Sequence, residues 1–240
     1  MRAQPEINQP RLGEIATLLR GDVESISKWS GAWDTHRIAL QIAVILAGAG
    51  GYGAAMGWWR DPWQALFTAI KLPLIILFTT VGNALLNAML APLLGLNIPL
   101  RQSFAANLMS CTIVAAILGA FSPLLAFLVW NSPALVSQAP TTEVYNLLLL
   151  AQVAAIALAG LTGNARLFQL LRRLGGSRRV AQKVLVAWLA GNLFLGSQFA
   201  WILRPFVGSP GLPVEFLRAA ALHGNFYQSV FRSVTQTFHH

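Results

Sequence analysis

Lys71 is the residue of this chain whose chemistry fits its surroundings least. It stands in AIKLPLIILFTTVGNALLNAM (69–89), two positions before Pro73, at the head of a long apolar run. Asn83 and Asn87 follow four residues apart, so a helix places them on one face. Asn107, Ser110 and Thr112, then Gln152, then Asn192, Ser197 and Gln198 carry polar groups into later apolar runs. Such a set makes either a path for an ion or small solute, or hydrogen bonds that fasten helices, worth roughly 0.6 kcal/mol each. No Asp or Glu falls inside these runs; the nearest are Asp61 and Glu143, at run ends. A proton- or cation-coupled carrier therefore lacks its usual group, and fastening is the preferred reading.

Other chemistry is thinner. His36, His223, His239 and His240 lie outside the apolar runs and at no metal-ligand spacing. Cys111, the single cysteine, is flanked by apolar residues and reads as a small packing group. Hydrolase, metalloprotease and phosphate-loop motifs are absent together. We expect no enzyme activity, no cofactor and no metal.

The elements that hold these residues follow from composition. Of 240 residues, 55% are hydrophobic and 10% charged, where a soluble domain carries roughly 25% charged. Apolar runs of about 20 residues are what a hydrocarbon layer roughly 30 Å thick requires. The pattern predicts an all-α, polytopic bundle of five spans: about 37–58, 72–92 within an apolar region 62–94, 103–130, 145–163 and 184–207. Residues 1–35 form a polar N-terminal segment with a short amphipathic helix on Leu12, Ile15, Leu18 and Leu19. It carries five acids and no apolar signal core, so no cleavable signal peptide is expected. Residues 36–207 form the transmembrane domain. A Pro/Gly linker and a mildly amphipathic tail occupy 208–240.

The net charge of +9 would suggest nucleic acid in a soluble protein. Here it suggests cytoplasmic loops and anionic lipid heads, and no nucleic acid. Arg2, Arg11, Arg20, Lys28, Arg37, Arg101, Arg166, Arg172, Arg173, Arg178, Arg179 and Lys183 fall on the N-terminal side. Arg60, Arg204, Arg218 and Arg232 fall on the other. Twelve against four predicts a cytoplasmic N-terminus and an outside C-terminus, in a multi-pass protein of the inner (cytoplasmic) membrane. All eight tryptophans sit near a predicted interface, Trp188 among those at the inner ends.

Two placements of Lys71 are open. A helix over 63–83 puts the amine near mid-membrane, where it needs an acidic or carbonyl partner. If 61–70 lies along the interface instead, anchored by Trp63, the crossing runs over 72–92 and Lys71 snorkels at the rim. The rim is preferred. Pro73 in the first turn of a new helix sacrifices no hydrogen bond, and no carboxylate is at hand for a deep lysine.

Three segments suggest contact rather than chemistry. Gly53 and Gly57 make a GxxxG in the first span, which lets helix backbones approach, by default within the chain. LRRLGGSRR (171–179) sets Arg172, Arg173, Arg178 and Arg179 on an inner loop, for lipid heads or an acidic cytoplasmic protein. SQFAWILRPFVGSP (197–210) places Trp201, Arg204 and Pro205 at an outer boundary, with Arg204 positioned to snorkel and Pro205 to end the helix.

The pattern GYGAAMG…ALFTAIKLPLIIL, a small-residue span followed by a K-x-P helix start on Lys71 and Pro73, resembles the Yip1-like membrane proteins of bacteria, over about 37–207. The resemblance implies a five-span, scaffold-like bundle with no catalytic role for the K-x-P. The expectation is a non-catalytic scaffold or accessory subunit that contacts lipid and other membrane proteins or itself. The alternative is a small-solute transporter or channel using polar residues in spans two to five.

Overall fold

The structure, a computed structural model, describes residues 34–132, 142–207, 213–219, 221–228 and 235. The amphipathic helix expected within 1–33 lies outside them. Five long helices make the fold: α1 (Thr35–Trp58), α2 (Pro62–Leu93), α3 (Leu100–Trp130), α4 (Thr142–Gly175) and α5 (Arg178–Leu203). Each is long and apolar enough to cross a membrane, and the chain is a multi-pass, all-α membrane protein.

Local chemistry sets the starts. The Asp34 carboxylate accepts from the His36 N–H at 2.9 Å, and Asp61 accepts from the Trp63 N–H at 2.7 Å with Pro62 in the first turn. Between α4 and α5 the turn is short: Gly176 takes φ +60, a conformation only glycine adopts freely. This corrects the expected arginine loop. Arg172 and Arg173 end α4, Arg178 and Arg179 begin α5, and all four are exposed on a tight helical hairpin. An apolar-run reading stops span four near 163. The helix continues because Leu167, Leu170 and Leu171 recur at helical spacing and bury completely.

α2 is the second correction. It is one helix of 32 residues, about 48 Å long at 1.5 Å per residue, and it runs unbroken through Pro73. The proline leaves the Ala69 carbonyl without its helical partner. Gly50 of α1 lies beside that carbonyl, 3.3 Å from where a Cβ at this glycine would stand. Close packing of α1 on α2 holds the helix across the break in its ladder.

α1 packs against both α2 and α3 at backbone distance. A Cβ on Gly53 would stand 2.5 Å from the Thr68 carbonyl oxygen, and one on Gly57 2.5 Å from that of Gln64. The GxxxG thus faces the chain's own second helix. On the other flank, Gly48 and Gly119 bring α1 and α3 together, with a Cβ on Gly119 falling 2.8 Å from the Gly48 Cα.

The bundle has two ends, named here by Gly176 and by Arg204. At the Gly176 end the core is dense: Leu96, Met109, Ile113, Leu170, Leu171, Val184 and Trp188 pack together. Trp188 has no exposure, so it is a core residue and not part of an interfacial belt, as its place in the sequence had suggested. At the Arg204 end Trp58, Trp63 and Trp130 are exposed as a belt requires, while Trp59 is buried. The described part of the C-terminal tail is bends, turns and irregular chain over 213–219 and 221–225, and helical at 226–228 and 235. It lies on the protein itself: Phe216 packs edge-on to Phe67 of α2, and Tyr227 stacks on Phe194 of α5 at 5.8 Å.

Candidate functional site

Lys71 does not snorkel. Its side chain is fully buried and its Nζ donates to the Pro205 carbonyl at 2.8 Å. The rim placement assumed a helix starting at 72. With α2 beginning at Pro62, the lysine lies nine residues in, on the face toward the end of α5. Gln64 and Thr68 share that face at helical spacing and are also buried. Gln64 Nε2 donates to the carbonyls of Pro205 at 3.0 Å and Phe206 at 2.6 Å, and Thr68 Oγ1 to that of Phe206 at 2.8 Å. The chain leaves α5 at Leu203, so these carbonyls have no helix to satisfy them. In an apolar surround each would carry the cost of an orphan acceptor, and three donors from α2 remove it.

The latch explains how an amine is held with no buried acid nearby. A backbone carbonyl accepts its proton, and aromatic faces lie at 5.9 Å (Phe67) and 5.1 Å (Phe216) from Nζ. Gln64 and Thr68 were legible only as helix partners of Lys71 at i−7 and i−3. An assumed helix start at 72 hides that spacing.

Arg204 folds back along its own helix. Its guanidinium lies 3.5 Å from the Trp201 ring and donates to the Trp201 carbonyl at 3.0 Å. Burial and the neighbouring Arg218 charge both hold this guanidinium below its usual range. Pro205 follows through a cis peptide bond and is buried against the latch.

Asn83 and Asn87 form a second cluster, deeper on α2. Asn83 Nδ2 donates to Asn107 Oδ1 of α3 and to the Trp188 carbonyl of α5, both at 3.2 Å. Asn107 Nδ2 donates to the Ser103 carbonyl at 3.1 Å, and Ser103 Oγ to the Ala84 carbonyl at 3.2 Å. Gly191 lets α5 close on Asn83, because a Cβ there would collide with Oδ1. Three helices thus meet at Asn83. Asn87 is also fully buried, yet neither of its amide atoms has a partner among the described residues.

One space inside the bundle lies at the Arg204 end. A cavity of about 620 Å³ has Met56, Leu72, Ile75, Ile76, Val114 and Leu118 on one side. Leu149, Gln152 and Ile156 of α4 and Ala200 of α5 stand across it, and Pro205, Phe206, Val207 and Arg218 close its top. Neither Asn83 nor Asn87 lines it. A second space, a groove of about 380 Å³ between α1 and α3, is floored by Gly51, Ala54, Ala55, Ser122 and Ala126. Trp58 and Trp130, both well exposed, flank it.

Among the described residues no three His, Cys, Asp or Glu gather where they could hold a metal. Thr80 donates to Cys111 Sγ at 3.1 Å, a contact between α2 and α3. Compared with protein-family models, curated proteins and solved structures, the chain matches none.

Proposed function

We propose that this protein is a non-catalytic accessory or scaffold subunit of a membrane protein complex, and that the Yip1-like resemblance reflects such a role. One observation carries the reading: the α1–α3 groove presents a floor of small residues at a bundle face, between two exposed tryptophans. In lipid, helices associate where small residues let backbones approach, since tails and side chains are equally apolar. Gly53 and Gly57 are spent on α2, but Gly51 and Ala54 face the groove and are free for a second protein's helix. The positive-inside bias would set the Gly176 hairpin in the cytoplasm of an inner membrane, where Arg172, Arg173, Arg178 and Arg179 meet anionic lipid heads.

Purification from the native membrane in mild detergent, followed by mass spectrometry, tests this. A stoichiometric membrane partner that is lost on Ala54→Trp supports it. Recovery of the protein alone, or a partner indifferent to that substitution, overturns it.

The rival reading, a small-solute transporter or channel, is favoured by one feature: both amide atoms of Asn87, and Asn83 Oδ1 one turn earlier, have no partner among the described residues. Against it, Asn83, Asn107 and Ser103 are engaged in bonds between helices. Solute flux into reconstituted vesicles that disappears on Asn87→Leu, with the fold intact, would establish the rival.

A further inference from the structure

The 620 Å³ cavity falls within the range of built ligand sites, about 300–1,000 Å³. Its walls are aliphatic apart from Gln152, the carbonyl-bearing segment 205–207 and Arg218. The Pro205 and Phe206 carbonyls are engaged by Gln64, Thr68 and Lys71, which leaves the Arg218 guanidinium as the charged group at the mouth. Arg218 has no carboxylate within ion-pair distance among the described residues. Such a guanidinium, at the edge of an apolar hole, calls for an anion with an apolar body.

Shape narrows the occupant. Ile156 lines the cavity and yet is 44% exposed, so the space opens sideways along α4, toward the bilayer. α4 and α5, joined tightly at Gly176, both line it here. The lining runs from Leu149 to Ile156 on α4, about 10 Å along the helix at 1.5 Å per residue. One leaflet of acyl chain occupies about 15 Å. The hole takes the upper part of a chain that enters head-up from the adjacent leaflet.

We infer that the cavity is a binding site for one anionic phospholipid, with an acyl chain between α4 and α5 and its phosphate on Arg218. The site is independent of the α1–α3 groove and of any protein partner.

Full-length protein in neutral detergent is titrated separately with phosphatidylglycerol, phosphatidylcholine and oleate, and bound adducts are counted by native mass spectrometry. One phosphatidylglycerol per chain is expected, held about tenfold or more tightly than phosphatidylcholine, as a charged hydrogen bond implies. Arg218→Gln should erase that preference, and Ala200→Trp should abolish the single tight adduct. If Ala200→Trp does not fold, Ile156→Trp at the open side blocks the same space. Neutralising Arg172, Arg173, Arg178 and Arg179 together should leave the adduct unchanged. Equal binding of both phospholipids, an adduct that survives the tryptophan variant, or loss of the adduct in the hairpin variant overturns the proposal. Tighter binding of oleate than of phosphatidylglycerol overturns the assignment to a phospholipid.

Discussion

The Gly176 end and the Arg204 end of this bundle are made from the same helices and are held by different physics. At the Gly176 end Leu167, Leu170, Leu171 and Trp188 have no exposure, and cohesion comes from dense apolar contact. At the Arg204 end Tyr52, Trp59, Leu125 and Val129 also pack together, but the helices stand around a cavity, and Gln64, Thr68 and Lys71 add bonds to two carbonyls of the departing chain. A packed end resists change in volume. A latched end resists loss of particular atoms and tolerates change in volume. The comparison separates the part of the protein that is purely structural from the part with room for a ligand.

The largest effect should come from breaking the packed end. Trp188→Ala removes the biggest fully buried side chain and should cost about 3–5 kcal/mol, read as a fall in the detergent melting midpoint. Adding volume should then distinguish the ends. Ala181→Leu, at a position with no exposure, should destabilise by about 1–3 kcal/mol. Ala200→Leu grows into the cavity and should leave the same midpoint unchanged or raised. Equal losses at the two positions would mean that the Arg204 end is as full as the other.

The latch comes next. Gln64→Leu with Lys71→Met leaves the Pro205 carbonyl without a donor, at about 1–3 kcal/mol for an acceptor left unpaired, while Thr68 still holds the Phe206 carbonyl. Because those carbonyls start the tail, the first sign should be faster tryptic cleavage after Arg218, before any change in helix content. Cleavage at the unaltered rate would show that the tail is held by Phe216 and Tyr227 instead. Smallest is Asn87→Leu. Removing two unpartnered polar atoms should leave stability unchanged or slightly raised, whereas Asn83→Leu, which cuts bonds to α3 and α5, should lower it. A clear loss at Asn87 would mean that its amide does work in the folded protein.

Much of the fold was legible because lipid permits few solutions. Apolar runs had to be helices, and the bounds of α1 and α3 follow their runs closely. The failures are local and share a cause. Pro73 reads as a helix start, since a proline in the first turn sacrifices nothing, but the packing of α1 at Gly50 carries α2 past it. The arginine-bearing segment was taken as a loop because charge ended the apolar run, yet Leu167, Leu170 and Leu171 continue the helical face beneath it. Hydropathy averages over a helix's circumference and so loses an amphipathic extension. Lys71 was set at the rim for want of a carboxylate. Its actual partner, the Pro205 carbonyl, has no side-chain signature and stands 134 residues away.

By itself the sequence determined that this chain is a five-helix membrane protein, where α1 and α3 run, and that Asn83, Asn87 and Asn107 lie inside it. Those properties depend on composition and on short-range periodicity, which need no knowledge of neighbours. Only the tertiary structure decided that Gln64, Thr68 and Lys71 act as one latch and that Asn83 joins three helices. It alone decided that α4 and α5 join the other helices around a cavity with Arg218 in its lining. Backbone carbonyls and empty volume are written in no residue type; they exist only once distant helices are placed side by side.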